Sequence, residues 1–221
     1  MTIAAGSSAL AADLLNTLNS DGTLKSSIVA EGNLTLADNT TANVSITAHG
    51  FVPKAPNDTA KFLRGDATWA VARIVQVVNT QTGAMATGTT AIPGDNTKPQ
   101  ITEGDQYMTL EITPTSATNK LLVDVVWIGT NTNAGVYLIV ALFQDSTADA
   151  LACGLARPGA GGYVETIHFT HYMTAGTTSA TTFKVRAGGD TGATTTFNGS
   201  AGTALYNGTL ASSITITEIA A

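Results

Sequence analysis

The sequence predicts an all-β protein in which the larger, carboxyl-terminal part of the chain forms a two-layer sandwich. Segments of strand length recur along residues 71–221, and no convincing helix separates them. Turn-forming Gly, Pro, Asn and Asp lie between the segments. Charged residues make up only 12% of the chain, so that helix formers such as Glu, Lys and Arg are scarce, while Thr, Ala and Gly are abundant. The ten predicted strands lie near Val71–Asn79, Ala84–Thr90, Gln106–Thr113, Lys120–Ile128, Val136–Gln144, Leu151–Leu155, Tyr163–Met173, Thr182–Ala187, Thr194–Asn198 and Ser213–Ile219.

Eight to ten strands in two layers are typical of a jelly roll. The length of the domain and its closing strand, Ser212–Ile219, resemble those of the TNF/C1q-like jelly rolls, which trimerise side by side. An immunoglobulin-like sandwich would give almost the same pattern, so that alternative stays open.

The amino-terminal part has a different pattern. Leucines at positions 10, 14, 15 and 18 recur at helical spacing, which predicts a helix of about three turns. Leu34–Leu36 and Val44–Ile46 alternate apolar and polar residues, as short half-buried strands do. Two short strands do not form a stable sheet alone, so we expect three copies of the chain to share a narrow stalk. The predicted organisation is an attachment segment with a short helix at 1–27, an intertwined β stalk and connector at 28–70, and a jelly-roll head at 71–221.

The connector is the least repetitive stretch of the sequence. Two prolines disfavour a helix or a central strand there. The stretch nevertheless carries more large apolar groups than a linker leaves in water. We expect these groups to be buried between copies of the chain around a symmetry axis; an ordered loop packed on its own domain is the alternative. The predicted stalk and connector contacts are His49, Phe51, Val52, Pro53, Phe62, Leu63 and Trp69.

The connector, HGFVPKAPNDTAKFLRGDATWA, resembles a segment of the form H-G-[FL]-[VL]-P-K-x-x-N-D-x-x-x-[FY]-L-x-G-x-G-x-[WY]. That segment recurs in bacteriophage tail fibres and related virion fibres, where it joins a thin trimeric stalk to the next module. Arg64 and the pair Asp66-Ala67 depart from the pattern, in which Asn and a Gly-rich pair are commoner. The last strand is also similar to that of many phage fibre heads. The resemblance implies a structural protein of a virion.

Composition excludes several classes of function. A net charge of −6 without any basic run argues against nucleic-acid binding. No run of about 18 apolar residues predicts a membrane span, and the amino end lacks the pattern of a signal peptide, so we expect assembly in the host cytoplasm. The single cysteine, Cys153, excludes an internal disulfide framework, and its apolar neighbours predict a small buried residue.

Residues with catalytic or metal-binding chemistry are few. His168 and His171 are three apart in one predicted strand, so they face opposite sides and cannot share a metal. Asp145 and Asp149 share a predicted turn, but no cleft is evident that would make them a catalytic pair. No helix is predicted after the glycine cluster 159–162, so the cluster predicts a flexible loop and not a phosphate-binding loop. We therefore expect no enzymatic activity, no cofactor and no metal site within one chain, and an ion held on the trimer axis by three copies of His49 stays open as an alternative.

These observations lead to one functional hypothesis with one alternative. The first is a homotrimeric tail fibre of a phage virion, attached through its amino end to a tail, baseplate or capsid protein, whose head binds a glycan or protein on the bacterial surface. The alternative is a capsid fibre or decoration protein. If the strands simply alternate in direction, several loops lie together at the end of the head far from the stalk. The predicted receptor contacts there are Gln81, Thr82, Thr115, Ser116, Asp145, Asp149, Thr177 and Thr178.

Overall fold

A computed structural model describes residues 61–221. The chain divides into two compact units, residues 1–70 and 71–221. The predicted amino-terminal helix, the two predicted stalk strands and the first half of the connector lie outside the described residues. In Lys61–Ala221, no helix is both long and apolar enough to cross a membrane.

The described end of the connector forms a short hairpin of β1 (Lys61–Leu63) and β2 (Trp69–Val71). The sequence predicted no strand here because of two prolines, but both precede the hairpin. The turn is closed by the Arg64 amide, which donates to the Thr68 carbonyl over 2.7 Å, and Ala67 adopts a left-handed φ of 64°. Ala67 stands where the fibre pattern has its second glycine, which explains why glycine is common there.

Each of the ten strands predicted from the sequence is present, with ends that differ by up to three residues. They are β3 (Ile74–Thr82), β4 (Ala86–Gly88), β5 (Asp105–Ile112), β6 (Lys120–Asn131), β7 (Leu138–Gln144), β8 (Ala152–Ala156), β9 (Glu165–Thr174), β10 (Thr181–Gly189), β11 (Thr195–Phe197) and β14 (Ser212–Ile219). The sequence did not predict the two-residue strands β12 (Gly199–Ser200) and β13 (Thr203–Ala204), nor the single turn at Tyr206–Gly208.

The strand order identifies the fold as a jelly roll. One sheet has the order β5-β10-β7-β8, and the other has β3-β14-β6 with β9 on the far side of β6. β11 and β4 extend the second sheet beyond the end of β14. Successive main strands lie in opposite sheets except for the adjacent pair β7 and β8, and β3 pairs with β14 in antiparallel register. An immunoglobulin-like sandwich has a different strand order, so that alternative is excluded for residues 71–221.

The core lies between the two sheets and follows the strand alternation. On β6, Leu121, Val123, Val125 and Trp127 are fully buried, whereas the residues between them are half-buried on the outer face. The rings of Tyr107 and Phe197 pack near Trp127, with centroids 6.0 and 5.9 Å away. Burial, with a smaller contribution from the nearby Asp105, raises the pKa of Tyr107.

A second, smaller apolar cluster covers the outer face of the four-stranded sheet. Ile92 and Ile101, from the segment between β4 and β5, pack on Ile139, Ala141 and Phe143 of β7. β7 is therefore buried on both faces, which explains its continuous apolar sequence, LIVALF.

Candidate functional site

The loops of the jelly roll lie at two opposite ends. We call the end at which β3 finishes the distal end and the end at which β3 begins the proximal end. Gln81 and Thr82 lie at the distal end, whereas the loops of Thr115–Ser116, Asp145–Asp149 and Thr177–Thr178 lie at the proximal end. The prediction that these loops share one end is therefore wrong. The error comes from β4, which was predicted to cross the domain but has only three residues and stays at the distal end beside β11.

The proximal end is organised around a buried carboxylate that the sequence analysis did not single out. Glu218 is fully buried at the end of β14. Its side chain accepts hydrogen bonds from Gln76 Nε2 at 2.6 Å, Asn119 Nδ2 at 2.6 Å, and the Thr115 amide and hydroxyl at 2.9 and 2.8 Å. These bonds join β3, β14 and the loop between β5 and β6. Thr115, a predicted receptor contact, is thus part of the internal structure.

The hydrogen bonds around Glu218 determine its charge. Burial by itself raises the pKa of a carboxyl group, but the bonds from Asn119, Gln76 and Thr115 outweigh burial and hold the pKa of Glu218 below its usual range. The strict alternation of β14, ITITEI, placed Glu218 on the inner face together with Ile214 and Ile216. A glutamate in phase with the buried isoleucines was thus the feature of the sequence that could have predicted a buried carboxylate.

The two aspartates of the β7–β8 turn have separate structural roles. Asp145 has a left-handed φ of 51° and accepts the Thr182 amide at 2.8 Å. Asp149 accepts hydrogen bonds from Gln100 and Lys98, which hold its pKa below the usual range. The two carboxylates therefore have different partners and do not form a pair.

The remaining predicted contacts are polar loop residues at the two ends. At the proximal end the Ser116 and Thr118 hydroxyls lie 2.9 Å apart, and Thr177 Oγ1 accepts the Ser179 amide. Thr178 is exposed. At the distal end Gln81 is exposed, and the Thr82 carbonyl accepts a hydrogen bond from Asn198.

The distal end carries exposed aromatic side chains instead. The residues Tyr137, Tyr163 and Tyr206 are 37%, 63% and 76% exposed. Each lies in or beside a loop, before β7, before β9 and before β14 respectively. Tyrosine offers a large rigid contact area with a polar tip, which is why it is common at binding surfaces. These tyrosines are the best candidates for a contact surface in the described part of the chain. The sequence offered a signal for two of these tyrosines: each stands beside glycine in a turn-forming stretch, as Gly162-Tyr163 and Tyr206-Asn207-Gly208.

The distal segment 198–208 is conformationally strained. Four of its residues have left-handed φ values between 48° and 52°, although none of them is glycine: Asn198, Ala201, Tyr206 and Asn207. Asn198 anchors the segment: its buried amide donates to the Thr82 carbonyl at 2.7 Å and accepts the Ser212 hydroxyl at 2.7 Å. Strain of this kind persists where the surrounding structure fixes it, and it is common at functional sites.

The outer face of the six-stranded sheet is the second candidate surface. Ile74 and Val77 on β3 and Tyr172 on β9 are between 56% and 59% exposed there. His168 lies on the same face, with Nε2 2.8 Å from Asp124 Oδ2. His171 points to the opposite face, as predicted, and its partial burial lowers its pKa.

Two further predictions concern single residues. Cys153 was predicted to be buried, but it is exposed, because the outer face of the edge strand β8 is only partly covered. Of the predicted connector contacts, Phe62 is 50% exposed, and Leu63 and Trp69 are half-buried. His49, Phe51, Val52 and Pro53 lie outside the described residues. Within residues 61–221, no cluster of three His, Cys, Asp or Glu residues is placed to hold a metal.

No protein-family model matches the sequence, and no curated protein matches it significantly. Among solved structures, the chain is similar to Eiger TNF from S. frugiperda, with a TM-score of 0.40 and 9% identity over 65% of this chain and 93% of that one. It is also similar to VP2 of the infectious bursal disease virus subviral particle, with a TM-score of 0.34 and 11% identity over 76% of this chain and 37% of VP2. Likenesses this distant carry no functional argument, and the jelly-roll assignment rests on the strand order.

Proposed function

We propose that the protein is a homotrimeric tail fibre of a bacteriophage virion whose jelly-roll head binds the surface of the host cell. The resemblance of the connector His49–Ala70 to the stalk-to-head segment of virion fibres supports the assignment to a phage. The amino end attaches the fibre to a tail, baseplate or capsid protein, and assembly takes place in the host cytoplasm. The proposed role is binding, without catalysis.

The outer face of the six-stranded sheet is the proposed contact between the three heads. Its apolar residues, Ile74, Val77 and Tyr172, are too exposed in a single copy to be explained by the core of that copy. Burying them against neighbouring heads removes apolar surface from water, which stabilises the assembly.

Replacing Tyr172 with Glu tests this contact. A charge at the centre of a buried apolar contact is strongly unfavourable, so we expect Tyr172→Glu to shift the full-length protein from trimer towards monomer in sedimentation velocity. The control is Tyr163→Glu, an equally exposed tyrosine at the distal end, which leaves the trimer intact. Because the stalk is also expected to hold the copies together, the two variants are compared over a dilution series, and a Tyr172→Glu protein that dissociates no more readily than the control excludes this face as the contact.

The observation that carries the binding role is the concentration of exposed tyrosines at the distal end. Three heads present three copies of this surface, and several fibres on one particle raise the effective affinity by orders of magnitude without any new contact. The proximal end has instead an internal hydrogen-bond network, centred on Glu218, that occupies one of the predicted contact residues.

Binding of the purified fibre to host bacteria tests this role. We expect the double substitution Tyr163→Ala with Tyr206→Ala to lower the retention of labelled fibre on cells at least tenfold, since two large contacts per head are lost. The matched control is Thr177→Ala with Thr178→Ala at the proximal end, which leaves retention unchanged. The reverse result would assign binding to the loops predicted from the sequence.

The position of the protein on the particle separates the tail fibre from a capsid fibre or decoration protein. Gold-labelled antibody against the head domain marks the tail if the proposal is right. Labelling of the capsid shell would make the protein a capsid fibre.

A further inference from the structure

A pocket of about 180 Å³ opens on the outer face of the four-stranded sheet, near the distal end. Its floor is formed by Ile139 on β7 and by Cys153 and Leu155 on β8. The segment Pro93–Pro99 forms one wall, and the Tyr137 ring forms another. We call it the Tyr137 pocket.

The walls are held in place by their own contacts. Ile92, immediately before the wall segment, is fully buried against β7. Within the segment, Asp95 Oδ1 accepts the amide of Thr97 at 2.7 Å, which fixes a tight turn between the two prolines. On the other side, the guanidinium of Arg157 lies 5.3 Å from the centre of the Tyr137 ring, and its Nε donates to the Gly135 carbonyl. The pocket is thus preformed.

The polar side chains that line the pocket include the Asp95 carboxylate and the Thr97 hydroxyl, which donates a hydrogen bond to it. Asp95 lines it, and hydrogen bonds from Thr97 hold the pKa of Asp95 below the usual range, so this carboxylate is charged at neutral pH. Asp190 lies behind Gly94: a side-chain carbon added to Gly94 would be 3.4 Å from Asp190 Oδ2 and 3.6 Å from the Tyr137 ring. Asp190 Oδ1 is buried without a hydrogen-bond partner among the described residues. The Asp95 carboxylate accepts hydrogen bonds and repels anions, whereas the Arg157 guanidinium is engaged by the Tyr137 ring and the Gly135 carbonyl.

We propose that the Tyr137 pocket binds one neutral sugar ring of a host surface glycan. An apolar floor, an aromatic wall and the fixed carboxylate of Asp95 suit the two aspects of a sugar, whose ring carbons pack on apolar groups and whose hydroxyls donate to a carboxylate. The pocket is smaller than the roughly 300–1,000 Å³ of pockets that enclose a drug-sized ligand, so it accommodates one ring rather than a long segment. This site deepens the proposed host-binding role and rests on it for its biological meaning.

Cys153 makes the proposal testable with the natural chain. It is the single cysteine of the protein, it is exposed, and it lies in the floor of the pocket. A sugar in the pocket therefore slows the reaction of this thiol with an uncharged maleimide. We expect at least one of glucose, galactose and N-acetylglucosamine, at concentrations up to tens of millimolar, to slow labelling of the trimer at least threefold and saturably. Glucuronate, an acidic sugar of similar size, gives no protection.

Two variants assign the protection to the pocket. Tyr137→Ala removes the aromatic wall and abolishes protection, whereas Tyr163→Ala, at the same end but outside the pocket, keeps it. Leu155→Lys, at a 60% exposed position in the floor, obstructs the pocket without disturbing the core and also abolishes protection.

Other results overturn the proposal. If none of the three neutral sugars slows labelling, or if glucuronate protects equally, the pocket is not a site for a neutral sugar. The outcome is independent of the host-binding role: fibres can bind cells through Tyr163 and Tyr206 while Cys153 shows no protection. Conversely, protection by a sugar in a fibre that does not adhere to cells would retain the pocket and reject the role in adhesion.

Discussion

The proximal end of the jelly roll gathers its loops around a buried carboxylate, whereas the distal end exposes tyrosines, one of which, Tyr206, lies on a strained loop. At the proximal end Glu218 joins three elements through hydrogen bonds of 2.6–2.9 Å. At the distal end four non-glycine residues with left-handed φ lie within Asn198–Asn207. Asp145 is the only non-glycine residue with such a φ in the described proximal loops, so the strain of the sandwich is concentrated at the distal end. The difference supports the proposal that stability and binding are located at opposite ends of one domain.

The largest loss of stability is expected from Glu218→Ala. The substitution leaves the donors of Asn119 and Thr115 buried without their acceptor, and each such group costs roughly 1–3 kcal/mol. We expect the free energy of unfolding of the head to fall by about 3 kcal/mol, measured by urea denaturation of the full-length protein. The control is Glu111→Ala, an exposed glutamate on β5, whose effect stays within about 0.5 kcal/mol. Equal stabilities of the two variants would show that Glu218 does not organise the proximal end.

Asn198→Ala is the corresponding test at the distal end. It removes the hydrogen bonds to Thr82 and Ser212 and places alanine at a left-handed φ of 51°. We expect a loss of about 2 kcal/mol, together with faster amide exchange in residues 199–211. Asn133→Ala, at an exposed asparagine of the same end, is the control. A loss larger than that of Glu218→Ala would make the distal end the more important for stability.

Lowering the pH is a further test of the difference between the two ends, because it protonates the buried carboxylate of the proximal end. The pKa of Glu218 is lowered by folding, so its contribution to stability is complete above its ordinary value of 4.5 and is lost as the pH falls through the folded-state value. We expect a smaller effect than that of either substitution, because a protonated carboxyl still accepts hydrogen bonds. In thermal unfolding between pH 6 and pH 2, the wild type therefore loses more stability than Glu218→Gln does. Parallel pH profiles would contradict this assignment.

The sequence was sufficient to predict the strands and the layers of the head. Alternating segments such as KLLVDVVWI define an inner and an outer face without any tertiary information. The sequence also left two topologies open, because alternation does not specify which strands pair. The pairing of β3 with β14, which separates the jelly roll from an immunoglobulin-like sandwich, is a contact between residues at least 130 positions apart.

The candidate site was harder to predict, because one short strand decides which loops share an end. β4 has an alternating sequence but ends at Gly88, where a side chain would collide with the carboxylate of Asp105. Its three residues do not cross the domain, and the loops after β5, β7 and β9 therefore lie at the end opposite to the one predicted. Cys153 was misjudged for a related reason, since apolar neighbours in an edge strand do not reveal whether another element covers that face.

The smallest expected effect is a gain in stability from glycine substitutions at the distal end. These substitutions distinguish the cost of backbone strain from the contribution of the Tyr206 ring to binding. Tyr206 has a left-handed φ of 52° and Ala201 has one of 48°, and both side chains are exposed. Glycine accepts this conformation without the steric penalty of a side chain, so we expect Tyr206→Gly and Ala201→Gly each to raise the free energy of unfolding by about 1 kcal/mol in urea denaturation. Only Tyr206→Gly removes an aromatic contact, so it alone should weaken the retention of fibres on host cells. If both variants bind normally, the Tyr206 ring is not part of the contact, and Tyr163 and Tyr137 must supply the contact surface.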